Sequence, residues 1–152
     1  MPVRLLPSLL LSCLVALAAM PAQARTPRLS LIEQAQSCGG GTDCPYFPEV
    51  YKEDHAFRGA FNVAIKKAGL KRQRWVPNGV TTPLKPIEID GAARLLTSVC
   101  EPHNCGHHYT LLYDPSDRSM VGMYVGSDGK GGVRTVYLGA PSIAEVDVLN
   151  KN

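Results

Sequence analysis

The chain predicts an α+β fold, a five-stranded antiparallel meander covered by helices. Three observations carry that prediction. After Asp54, the residues Phe57, Ala60, Phe61, Ala64, Ile65 and Ala68 recur at the spacing that gathers one face of an α-helix. Between Leu84 and Leu138, five strand-like runs follow one another across short turns with no helix between them. Ser30-Leu31-Ile32-Glu33 and Ser142-Ile143-Ala144-Glu145 are capping-box patterns that put a helix before and after this region. Consecutive strands pair as an antiparallel sheet, and the helices are left to cover one or both of its faces.

Residues 1–24 read as a secretory signal peptide: Arg4, an apolar stretch from Leu5 to Met20, and an Ala-x-Ala cleavage site in Pro21-Ala22-Gln23-Ala24. The stretch is too short and broken for a good membrane span. Lipidation of Cys13 is the rival reading, but the apolar run continues past it and a better cleavage site follows. The mature chain is therefore expected to begin at Arg25, as one soluble, exported domain over residues 25–152 without repeats or a low-complexity linker.

The first helix is expected from Leu31 to the Cys38-Gly39 break. The second starts from Asp54 as N-cap and stops at Gly69, with Lys66 and Lys67 favouring the negative end of its dipole. Leu84–Ile89, the Asp90-Gly91 turn and Ala93–Val99 form a hairpin. His108–Tyr113, Met120–Val125 and Val133–Leu138 complete the sheet, joined by Asp114-Pro115-Ser116-Asp117 and by a glycine-rich turn from Gly126 to Gly132. The tyrosines 109, 113, 124 and 137 read as strand residues, Trp75 as a sheet-covering aromatic, and His55 as an exposed helix start.

Losing Arg4 from 16 Lys and Arg leaves 15 against 13 Asp and Glu, a net charge of +2. No basic run interleaved with aromatics is present, so a nucleic-acid partner is not expected. Cys13 leaves with the leader, and four cysteines remain in an oxidising compartment. Local pairing, Cys38 with Cys44 and Cys100 with Cys105, is expected because each pair brackets loop-forming residues, although sequence leaves a crossed pairing open. So short a ring contributes roughly 2 kcal/mol, and its main effect is to shape the loop.

The ring Cys100-Glu101-Pro102-His103-Asn104-Cys105 is where the chemistry concentrates. Extended, it would span about 17 Å, whereas a disulfide holds its Cα atoms about 4.4–6.8 Å apart. The intervening residues must bulge, Pro102 removes backbone freedom, and His103 faces outward. A loop ordered before binding loses less entropy on binding. The rival reading is a zinc or copper site using Cys100, His103, Cys105, His107 and His108, with Met120 and Met123 further on. Oxidised cysteines do not ligate as thiolates, and neighbouring strand residues 107 and 108 point to opposite faces. No nucleophile-and-base order, Cys-x-x-Cys pair or paired carboxylates stands out, so no catalytic residue and no cofactor is assigned.

Cys100-Glu101-Pro102-His103-Asn104-Cys105-Gly106 resembles the signature loop of the Ivy family, inhibitors of vertebrate lysozyme, whose usual form reads Cys-Lys-Pro-His-Asp-Cys. Phe61-Asn62, Trp75-Val76 with Gly79, and Thr82-Pro83 are similar in order, so the likeness runs from about Ala56 to Leu138. The resemblance implies an inhibitor in the periplasm of a Gram-negative bacterium, with a c-type lysozyme as partner. It leaves open whether the task is defence against host lysozyme or control of the cell's own wall-lytic enzymes. It also implies that the loop enters the active-site cleft and that His103 hydrogen-bonds the catalytic carboxylates. Cys100 and Cys105 would hold His103, Pro102 would shape the approach, Glu101 and Asn104 would touch the cleft walls, and His107 and His108 are candidate rim contacts. Glu101 stands where the family has lysine, and Asn104 where it has aspartate. A carboxylate at 101 is expected to face a basic rim, away from the catalytic acids.

Overall fold

A computed structural model of the protein describes residues 28–152. The leader and Cys13 lie outside the described residues. Among the described residues, four helices, α1 (Leu31–Ser37), α2 (Phe47–Glu53), α3 (His55–Lys67) and α4 (Ile143–Lys151), accompany six strands. These are β1 (Val80–Thr81), β2 (Lys85–Ile89), β3 (Ala92–Glu101), β4 (Asn104–Asp114), β5 (Ser119–Ser127) and β6 (Val133–Leu138). Every strand pair is antiparallel, and the fold is α+β as expected.

The sheet has five strand positions across its width, with six strands, because β1 and β2 share one edge of β3. Val80 pairs with Cys100 and Thr81 with Val99, while Lys85 to Ile89 pair with Leu96 to Ala92. Pro83 has no N–H to give the ladder, and the chain breaks there. Thr82 bridges the gap: its N–H donates to the Ser98 carbonyl at 3.0 Å, and its Oγ1 accepts from the Ser98 N–H at 2.8 Å. A two-residue strand is too short for an alternation to reveal. The hairpin between β2 and β3 turns on Asp90 (φ 51°) and Gly91 (φ 76°), both left-handed as a type I′ turn requires.

Both capping boxes form. Ser30 and Glu33 exchange bonds of 2.7 and 3.3 Å, and Ser142 and Glu145 bonds of 2.9 and 3.2 Å. Asp54 Oδ1 caps α3 by accepting from Phe57 N–H at 2.8 Å. At its far end, Leu70 N–H bonds the Ile65 carbonyl and Gly69 N–H that of Lys66, with Gly69 at φ 69°, a Schellman stop. The helix α2 was not expected. It is two turns long and opens with Phe47-Pro48, yet Phe47, Val50 and Tyr51 are buried at helical spacing.

Helices lie on both faces. On one, α1 to α3 cover Leu95, Val99, Tyr109, Leu111, Tyr113 and Tyr124. There Phe57, Phe61, Ala64 and Ile65 are buried, and Ala60 and Ala68 pack partly buried against them. On the other, Leu149 of α4 sits on Ile89, Leu96, Leu112 and Met123. Each fully buried leucine or phenylalanine contributes about 1.5–3 kcal/mol. Arg94 clasps α4 to the sheet, 2.6 Å from Asp114 and 3.1 Å from Glu145. Among the described residues, no helix is long and apolar enough to cross a membrane.

Candidate functional site

β3 and β4 run further than their alternation suggests and meet at a tip two residues long. Glu101 pairs with Asn104, leaving only Pro102 and His103 between them. Cys100 pairs with His108, so Cys105, Gly106 and His107 form a bulge on β4 with no counterpart on β3. The expected four-residue loop is thus a hairpin end. Paired backbone extends into the ring and leaves less of it free than the sequence implied.

Pro102 occupies the first corner of the turn, and His103 the second with φ 63°, the combination a type II turn demands. For a residue with a Cβ, that left-handed conformation costs about 1–2 kcal/mol. Glycine or asparagine fills such corners more easily. His103 and Pro102 are exposed, while Cys100 is buried. The disulfides join Cys100 to Cys105, with Cα atoms 4.9 Å apart, and Cys38 to Cys44, with Cα atoms 5.3 Å apart. The local pairing is the one the fold adopts. The Cys38–Cys44 ring lies just ahead of α2, and the N–H groups of Gly39 and Gly41 in it bond the Asp43 carboxylate.

Glu101 and Asn104 do not stand out toward a partner. Glu101 Oε2 lies 2.8 Å from His107 Nδ1, and Asn104 Nδ2 donates to the same oxygen at 2.9 Å. Asn104 Nδ2 and His107 Nδ1 are 3.2 Å apart, consistent with two donors converging on one carboxylate oxygen. The network therefore assigns the proton of His107 to Nδ1. The two residues that depart from the usual loop thus bond each other across the tip, and His107 is their third member. His108 turns elsewhere: its Nδ1 lies 3.0 Å from the Cys105 carbonyl, and it lines a cavity of about 310 Å³ beside Val80, Ser98 and Cys105.

The base of the hairpin is braced by an aromatic chain. Phe61 packs on Tyr109 at 5.5 Å, Trp75 on Tyr109 at 5.5 Å, and Tyr109 on Tyr124 at 4.8 Å. Trp75 covers the sheet as expected. Burial, and then the neighbouring Tyr124, push the Tyr109 phenol up to about 12. Gly79 lets the segment ahead of β1 lie on the ring, since a Cβ there would overlap the Cys100 carbonyl oxygen.

The zinc or copper reading gains nothing from this arrangement. Both ring cysteines are joined, and His107 and His108 engage different partners. The described residues do bring Cys38, Asp43 and Cys44 within 4.8 Å of one another, but those two cysteines are also joined. The ring lies on paired antiparallel strands and presents the exposed His103 imidazole at its tip. None of the curated proteins compared with the chain matches it. The family model of the inhibitor of vertebrate lysozyme matches residues 63–138, half of the chain, from the middle of α3 through the tip to the end of β6. The chain belongs to the Ivy family, the inhibitors of vertebrate lysozyme.

Proposed function

We propose that the protein inhibits a c-type lysozyme by seating the Pro102-His103 tip in the active-site cleft, with His103 between the catalytic carboxyl groups. One observation carries this reading: an exposed imidazole held in a strained left-handed corner by a disulfide and a paired backbone. Strain of that kind persists where the surroundings over-determine it, often at functional positions.

The chemistry follows from the target. A retaining glycosidase keeps its two carboxyl groups roughly 5–5.5 Å apart, one protonated as acid and one ionised. An imidazole between them donates to the ionised group and accepts from, or donates to, the other; a protonated ring adds charge assistance. The tip also fills the space the sugar needs, so inhibition is competitive. Glu101, held by His107 and Asn104, is kept from the catalytic acids, and its role is to stiffen the tip. Residues 1–24 would act as the leader that delivers residues 25–152 to the periplasm.

The test is protection of a bacterial cell-wall suspension from c-type lysozyme by the purified residues 25–152. His103→Ala is expected to weaken inhibition by at least about 30-fold, the effect of losing a central contact in a desolvated cleft (about 2 kcal/mol). An inhibition constant unchanged by that substitution overturns the proposal.

A further inference from the structure

The net charge of +2 expected for residues 25–152 conceals a division between the two ends of the molecule. In a meander, the β3–β4 and β5–β6 turns lie at one end, and the β2–β3 and β4–β5 turns at the other. The His103 tip therefore shares its end with Lys130, in the β5–β6 turn, and Arg134, near the start of β6. The helix α3 points the same way, because Phe57 packs on Tyr113 and Phe61 on Tyr109, nearer the tip. The segment that leaves it carries Lys71, Arg72 and Arg74, then lays Trp75 on Tyr109 and Gly79 on Cys100 at the base of the ring.

All five cations are exposed, and one of them, Arg72, also donates from Nη1 to the Tyr51 hydroxyl at 3.1 Å. The acidic residues at this end are engaged internally. Glu101 holds His107 and Asn104, and Asp128 accepts from the N–H groups of Lys130 and Gly132. The opposite end carries Asp90, Asp114 and Asp117 in or beside its turns, with Glu53 and Asp54 beside Tyr113 and Glu145 against Arg94, so that its acidic groups outnumber Arg94 and the turn residue Arg118.

We propose that Lys71, Arg72, Arg74, Lys130 and Arg134 form a cationic collar around the tip that selects glycosidases whose cleft rim is acidic. This inference rests on the inhibitor reading of the tip and names its preferred target class. A like-charged rim, such as that of a strongly basic lysozyme, is disfavoured in encounter, because repulsion between patches slows association while the seated tip controls dissociation. The collar also replaces the expectation that Glu101 meets a basic rim: its carboxylate is occupied, and the side chains around it are cationic.

The experiment uses one c-type lysozyme in two forms that share a cleft. One keeps its basic rim; in the other, four cationic rim residues are replaced by glutamate. Association rates are followed by stopped flow at about 20 mM and 500 mM salt. The protein is expected to associate with the acidic-rimmed form about tenfold faster or more at low salt, with the preference lost at high salt. The Lys71→Glu/Arg74→Glu/Lys130→Glu/Arg134→Glu variant, none of whose altered side chains makes a hydrogen bond among the described residues, should reverse the preference. The corresponding glutamine variant should abolish it, and in both the fold sensitivity to His103→Ala should stand unchanged. Equal or salt-insensitive rates for the two rims overturn the collar while leaving the inhibitor reading intact. So does binding to phosphatidylglycerol vesicles that the charge reversal abolishes while lysozyme association stays the same. Failure to inhibit either form brings down the inhibitor reading itself.

Discussion

His103 combines an exposed imidazole with a backbone conformation its own Cβ disfavours, so its stability and its proposed task pull in opposite directions. Glycine would relieve about 1–2 kcal/mol of left-handed strain and return about 0.4–1 kcal/mol as extra unfolded-state freedom. His103→Gly is therefore expected to unfold at the same temperature as wild type or higher, and to inhibit no better than His103→Ala. A fall in the thermal midpoint would mean that the imidazole holds the fold together. The sequence placed a histidine between two cysteines, facing outward if those two pair, as they do. It could not show the φ of that histidine, because whether the turn is two or four residues long depends on strand register.

At the scale of the element, two similar rings should behave differently. Each closes a short loop and contributes roughly 2 kcal/mol by loop entropy, but only Cys100–Cys105 joins the strands that carry the tip. Cys100→Ser/Cys105→Ser is expected to lose about 2 kcal/mol in urea unfolding and to weaken inhibition. Cys38→Ser/Cys44→Ser should lose a similar amount of stability with the inhibition constant unchanged. Equal effects of the two pairs on inhibition would show that the Cys100–Cys105 ring does not preorganise the tip. Elements with a long period were legible: the stripe of α3, both capping boxes, and the Asp90-Gly91 turn. The helix α2 escaped because two turns opening with Phe47-Pro48 give too little pattern, and β1 because two residues cannot alternate.

At the scale of the whole molecule, Arg94, Asp114 and Glu145 tie α4 to the sheet. Burial alone would raise the Asp114 carboxyl. The hydroxyl and N–H of Ser116 and the Arg94 guanidinium outweigh it and hold the carboxyl below its usual range. A folded-state carboxyl held low adds stability that is fully present above the unfolded value, about 3.9. That stability is lost as pH falls toward the folded value. Wild type should therefore lose thermal stability below about pH 4, whereas Asp114→Asn should be less stable at neutral pH and flatter across the acid range. Parallel acid limbs in the two proteins would count against the clasp. The family match begins within α3 and ends with β6, so α1, α2 and α4 lie outside it.

Local features were legible from residues within a few positions of one another: the helical and strand periods, the caps, and a histidine bracketed by two cysteines. The pairing of those cysteines was left to the fold. Whatever depends on register and direction was settled by the packed fold. It closed Glu101 onto His107 and Asn104, laid β1 on the edge of β3 beside the ring, and brought Lys71–Arg74 and Arg134 to the end that bears His103. The physical reason is that a period reports which face a side chain takes, whereas only the packed sheet reports which distant faces meet.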